Sequence, residues 1–285
     1  MTASSKTWRR FRRSRLAVLG LVVVTAFIFI AALGPLITPL DAYDQALGDR
    51  LKAPGYSFDE ARTALAGTDH MGRDVLSRII LGSRISILVG VTAVTGAALI
   101  GLAFGLVAGY RGGLLDTMIM RLVDLQLSFP LMLLALAIIG LLGPSLQNLI
   151  IVFIVTGWPI FARIVRGAAL SLKEEEFVVA ARAMGKSDAG IMFRHLLPNL
   201  INPLIVTASF ELARVIILEA SIGFLGLGVQ PPTPTWGNML ADGRGYLRDA
   251  WWLATFPGLA IVMVVAAVNF LGDGLRDALD PKAGG

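Results

Sequence analysis

The 285-residue chain contains no cysteine, which excludes disulfides, thiolate metal sites, iron–sulfur clusters and a thiol nucleophile. It holds two histidines, His70 and His195, too few and too far apart in sequence for an imidazole metal centre. No nucleophile, base and orienting acid form a recognisable set, so an enzyme is the poorest fit, and no cofactor of its own is expected. Charge is scarce as well. Only 16% of residues are charged, 55% are hydrophobic and the mean hydropathy is +0.73. An ordinary soluble domain carries about 25% charge, so this chain has too little polar surface to cover a water-facing globule.

What it has instead is long apolar runs. Residues 16–40 and 85–109 are each 25 residues without a charge, about 37 Å as helix against a hydrocarbon core of roughly 30 Å. Residues 125–142 and 146–162 follow, separated by Gly143-Pro144-Ser145, a turn between antiparallel spans. A fifth run, 200–227, contains Glu211, Arg214 and Glu219, and a sixth, 250–272, is charge-free. The expectation is an all-α membrane protein with six spanning helices.

The net charge of +5 could suggest nucleic acid, but its distribution argues for a membrane flank. Residues 1–15 carry six basic side chains and no acid, directly before the first run, which is read as a retained anchor. Segments 1–15, 110–124, 163–198 and 272–285 hold 16 Lys and Arg, whereas 41–84 and 228–249 hold 8. The positive-inside rule then puts both termini in the cytoplasm. The expected organisation is a basic N-terminus at 1–15, a first span at 16–40 and an external segment at 41–84. A five-helix core at 85–272, including the cytoplasmic loop 163–198, and a cytoplasmic tail at 273–285 complete it. Within 41–84, Val75, Leu76, Ile79 and Ile80 at helical spacing predict a short helix lying at the outer interface.

In the second span Gly101, Gly105 and Gly109 continue a four-residue repeat from Ala93 and Ala97, one face nearly free of side chain. In lipid such a face permits close helix approach, and it is read as a packing interface. Glu211 and Arg214 share a helix face and can compensate each other, with Glu219 roughly on the same face. An ion pair inside the bundle and the lining of a polar pathway are both open readings.

The longest inner loop, 163–198, is helical in pattern. Phe177, Ala180, Ala181 and Met184 form an apolar stripe, Gly185 breaks it, and Ile191, Leu196 and Leu197 resume it before Pro198. Two short helices joined at a glycine make a knob fit to dock into a partner or to pack on its own bundle. Gly185-Lys186-Ser187 is not a phosphate loop, since position 180 is Ala and the surroundings read as helix on both sides.

This loop resembles the coupling loop of permease subunits from binding-protein-dependent ATP-binding-cassette importers. The family form is Glu-Ala-Ala, three residues, Gly, nine residues, Ile, one residue, Leu-Pro. Here it runs Val179-Ala180-Ala181, Gly185, His195, Leu197-Pro198, so the first Glu and the Ile are replaced. GTDHMGRDVLSRIILGSRISILVG at 67–90, SIGFLGLGVQPPTPTWGNML at 221–240 and NFLGDGLRDALDP at 269–281 are similar to the second-type permease of dipeptide, oligopeptide and nickel importers.

The resemblance implies a six-helix, type I importer-like permease in the bacterial inner membrane, with a coupling helix between spans four and five. It implies a second permease, two ATPase subunits that bind ATP and Mg, an extracytoplasmic substrate-binding protein and no nucleic acid. Ala180, Ala181 and Gly185 would enter a cleft on the ATPase, with Glu175, Arg182 and Arg194 as peripheral charge contacts. Gln230, Pro231, Pro232 and Trp236 would form a rigid external lip. Peptide, glutathione and nickel systems share these stretches. An ion-driven secondary transporter and a non-transporting scaffold are rival functions, separated by dependence on ATP and by an uptake defect on deletion.

Overall fold

The computed structural model describes residues 3–60 and 62–279. A short basic helix α1 (Ala3–Arg13) is followed by α2 (Arg15–Ile37). The break falls at Ser14, whose hydroxyl caps α2 by accepting from the Ala17 amide at 3.2 Å. A two-residue antiparallel pair, β1 (Tyr56–Ser57) and β2 (Thr63–Ala64), lies in the segment that leads to α3 (Val75–Arg111). Then come α4 (Gly113–Leu127), α5 (Leu131–Leu142), α6 (Leu146–Leu172), α7 (Glu176–Ala183) and α8 (Asp188–Ile191). A π turn at Met192–Leu196 runs into α9 (Leu197–Phe224), and α10 (Trp236–Gly243) and α11 (Trp252–Leu279) close the chain. Among the described residues five helices are long and apolar enough to cross a membrane, or six if α4 and α5 count as one broken span.

Two expected elements take another form. Residues 75–84 are not a separate interfacial helix, because nothing in the sequence breaks the helix at Arg84 and α3 runs on for 37 residues. The third run does not cross as one rod either. Ser128-Phe129-Pro130 bends the chain by 88° between α4 and α5, since proline cannot extend the preceding helix. At 12 residues α5 is about 18 Å long, short of the hydrocarbon thickness. Two smaller differences concern helix ends, and in the first α6 continues ten residues past the fourth apolar run. Its Arg166 pairs with Asp116 of α4, and Arg163 with Asp124, so these arginines sit on helix. In the expected tail, residues 273–279 belong to α11, and 280–285 lie outside the described residues.

The bundle centres on α3 packed along α6, with α9 across α3. Val89, Ala93, Ala97, Leu149, Phe153, Phe161 and Ile222 are among its buried residues. Leu40 N donates to Ser77 Oγ at 3.1 Å, so the end of α2 meets the start of α3. The start of α2 meets the end of α11 through Phe11, Ala17 and Ala278. Both described ends of the chain and the C-terminus of α3 therefore lie at one end of the bundle. The 67–78 segment and α10 lie at the other.

Candidate functional site

At the terminal end, α7 and α8 form a compact turn between the long helices α6 and α9. Val178 and Ala181, three apart on α7, are fully buried with Leu106, Tyr110, Val165 and Leu196. Burial of these two side chains fixes which face of α7 looks outward. Phe177, Ala180 and Met184 form that outer stripe, with Val179 beside it and Phe193 exposed on the π turn. Ala181 thus packs on the bundle and is unavailable to a partner's cleft, unlike Ala180. The expected stripe merged two faces, because 177 and 181 are a turn apart while 178 carries the inward direction. Glu175, Arg182 and Arg194 are exposed around the stripe.

Gly185 closes the turn at φ +75°, a left-handed conformation that suits glycine, and no atom lies within 4 Å of where a Cβ would sit. Ser187 caps α8, accepting from the Gly190 amide at 3.3 Å. The Tyr110 hydroxyl, near the end of α3, donates to Asp188 Oδ1 at 2.8 Å, and the Arg182 guanidinium lies 5.9 Å from the Tyr110 ring centre. Tyr110 was not singled out in the sequence, where it falls just past the charge-free run 85–109, at the start of the 110–124 segment.

Within the bundle the glycine row faces α6. A Cβ on Gly101 would lie 2.7 Å from Trp158 O, one on Gly105 2.8 Å from Val165 Cβ, and one on Gly109 2.7 Å from Ala169 Cβ. On α9, Glu211 is buried and accepts from Arg214, with Nε at 2.9 Å. Glu219 does not join them. It is fully buried and accepts from Ser86 Oγ of α3 at 2.8 Å, so two turns of helix separate a paired carboxylate from one held by a hydroxyl.

At the opposite end, the 67–74 segment is a hydrogen-bonded cap on α3. Asp69 Oδ1 accepts from the amides of Met71 and Arg73 at 2.8 and 3.0 Å, and Oδ2 accepts from Arg73 Nε at 2.7 Å. Asp74 Oδ2 caps α3 by accepting from the Ser77 amide at 2.7 Å. Burial pushes the Asp74 carboxyl above its usual range, and the nearby Asp69 charge adds to this against the hydrogen bonds from Ser77 and Leu76. Gly72 has φ +78°, and a Cβ there would overlap the Ala46 carbonyl. Asp74 thus starts α3, Asp69 holds the turn before it to Arg73, and Gly72 leaves room for Ala46.

Of the expected lip, Gln230, Pro231 and Pro232 are exposed, and the Gln230 amide donates to Gly226 O and Gly228 O at 3.2 and 3.0 Å. Trp236 is not part of the surface. It is fully buried, donates Nε1–H to Ile79 O at 3.0 Å and meets Phe27 edge to face at 6.0 Å. An indole in a helix-rich apolar core with its N–H satisfied is a structural bolt from α10 to α3 and α2.

The geometry has counterparts among known proteins. Residues 101–285 match the family model of the binding-protein-dependent transport system inner membrane component. Residues 3–54 match that of the N-terminal TM domain of oligopeptide transport permease C. A dipeptide transport system permease protein of Alkalihalophilus pseudofirmus is 44% identical over 97% of this chain and 89% of its own length. That of Escherichia coli is 43% identical over 99% and 94%. A glutathione transport system permease protein of Pectobacterium atrosepticum is 42% identical over 96% and 90%. Among solved structures, an inward-facing form of the MetNI methionine ABC transporter aligns with a TM-score of 0.59 at 21% identity, over 72% of this chain and 98% of that one. At that identity the likeness is one of fold.

Proposed function

The chain belongs to the family of inner-membrane components of binding-protein-dependent transport systems, and from that premise we propose that it is one of two permease subunits of an ATP-driven importer of di- or oligopeptides. Counting α4 and α5 as one broken span makes six spans, with α7 as the coupling helix between the fourth and fifth. Both termini and α7 then lie in the cytoplasm, in line with the 16 to 8 distribution of Lys and Arg. The names of the relatives support peptides as the substrate class, and the glutathione permease among them keeps a thiol tripeptide as the second reading.

One observation carries the proposal. Phe177, Val179, Met184 and Phe193 are 43%, 50%, 71% and 62% exposed, yet they sit among Lys173, Glu174, Glu175, Glu176, Arg182 and Lys186. Lipid cannot cover them without stripping water from those charges, which is costly. A protein partner with an apolar cleft and a charged rim can. The partner proposed is the ATPase pair, whose closure on ATP would move α7 and, through Tyr110 and Asp188, the inner end of α3 as a rigid body. A second permease covers the Arg163–Asp124 ion pair, which is half exposed on helices α6 and α4 where lipid would be a poor solvent. A substrate-binding protein would feed the opposite face.

The chain has no cysteine, so a single one at Met184 reports on that site alone. In intact cells it should resist a membrane-impermeant maleimide, and in inside-out vesicles it should react and cross-link to the ATPase. Reaction from outside, or cross-linking that ignores the presence of the ATPase, removes the proposal.

A further inference from the structure

Beneath the Pro231-Pro232 lip lies a cavity of about 510 Å³, with His70, Arg73, Arg78, Gln230 and Asn238 among its lining residues. Arg78, one turn into α3, is 3% exposed. Its nearest anionic oxygen is Asp69 Oδ2, 3.5 Å from Nε. That oxygen already accepts from Arg73 Nε at 2.7 Å, while the other carboxylate oxygen takes two backbone amides. Asp242, at the rim, is 3.8 Å from Arg73 Nη2 and 40% exposed. Arg78 Nη1 and His70 Nδ1 are buried and have no hydrogen-bond partner among the described residues.

A buried guanidinium cannot shed its proton and is expensive without partners, since it presents five N–H donors in a fixed fork. Here the nearest acid, Asp69, is already engaged by Arg73 and two backbone amides, and Asp242 stands at the rim, 40% exposed and nearer to Arg73. The fork matches a planar two-oxygen acceptor, which is the geometry of a carboxylate. The cavity volume lies within the range of small-molecule sites.

We propose that this cavity binds the carboxylate of a small solute, with Arg78 as the principal contact and His70 as a second, so that a peptide's free C-terminal carboxylate is recognised by the permease itself at its outer mouth. The choice of solute rests on the importer reading. The same chemistry could be offered by an acidic side chain of the substrate-binding protein, so the test leaves that protein out.

The complete complex of this chain with its second permease and ATPases is held in nanodiscs, and its thermal midpoint is followed against L-alanyl-L-alanine and L-alanyl-L-alaninamide. The acid should stabilise it, and the amide should need at least about tenfold higher concentration for the same shift, because hydrogen bonds to a charged group are lost. Arg78→Lys keeps charge without the fork and should move the acid curve toward the amide curve. If that buried change prevents assembly, His70→Phe carries the test, since the ring can retain its stacking on Tyr246 at 6.1 Å while losing Nδ1. Coincident acid and amide curves, unchanged curves in the variants, or an acid-dependent shift only after ligand-free binding protein is added would each overturn the inference. ATP-driven uptake by the same complex in proteoliposomes supplied with the binding protein separates the two readings: transport there without the shift in nanodiscs ends this inference alone, and the shift without transport ends the importer reading alone.

Discussion

The hydroxyl of Tyr110 donates to the carboxylate of Asp188 at 2.8 Å, joining the last turn of a spanning helix to the first turn of the short helix beyond Gly185. Together with Arg182 over the same ring, it ties both sides of the α7–α8 turn to α3. In Tyr110→Phe the ring and its packing stay while the tie is lost. Peptide uptake per ATP hydrolysed should fall several-fold, with stability reduced by about 1 to 2 kcal/mol. Simultaneous assay of phosphate release and labelled peptide accumulation reads the ratio.

Gly185 at φ +75° is open on its outer side, so substitution there tests conformation and partner contact together. Gly185→Val forces a β-branched residue into the left-handed region at about 1 to 3 kcal/mol. Gly185→Asn tolerates that region better. The valine variant should reach the membrane and keep ATPase activity while losing uptake, and the asparagine variant should retain most of both.

The α3–α6 contact has no room for side chains at Gly101 and Gly105. Gly105→Leu would place a side chain where Val165 Cβ already lies 2.8 Å from a Cβ, so the helices must part. Yield of assembled complex and its thermal midpoint should both drop sharply. Trp236→Ala should do the same at the opposite end, at about 3 to 5 kcal/mol for the vacated core volume.

The Asp74 carboxyl binds its proton more tightly in the folded chain than in the unfolded one, because burial raises it. Stability should therefore decline as pH rises from the ordinary carboxylate range, about pH 4, through the raised value, and the full cost remains above both. Asp74→Asn keeps a good cap without the charge. Its thermal midpoint should exceed that of the parent at neutral pH and vary less over that window.

The apolar runs carried most of the fold, because a span must be long and nearly charge-free whatever its tertiary partners. Where the reading slipped, a single residue's context decided. Arg84 looks like a boundary only if charge ends a membrane helix, and Pro130 bends its span by an amount no composition reveals. Ala181 and Ala180 differ only in which side of α7 the bundle claims. Trp236 reads as part of the external lip until Gly82 and Ile79 of a helix far away in sequence make room for it in the core. The glycine row was legible because its period is local, whereas the Ser86–Glu219 contact joins residues from two spans and leaves no local trace.

The central claim is that outside energy enters this chain through residues around α7. Peptide accumulation by proteoliposomes holding both permeases, both ATPases and the binding protein tests it most directly, with ATP present, with ATP absent, and with an ionophore. Accumulation that requires ATP, survives the ionophore and disappears when the ATPases are omitted is the predicted result. Accumulation at the full rate without ATPase subunits, or its collapse with the ion gradient alone, would contradict the account.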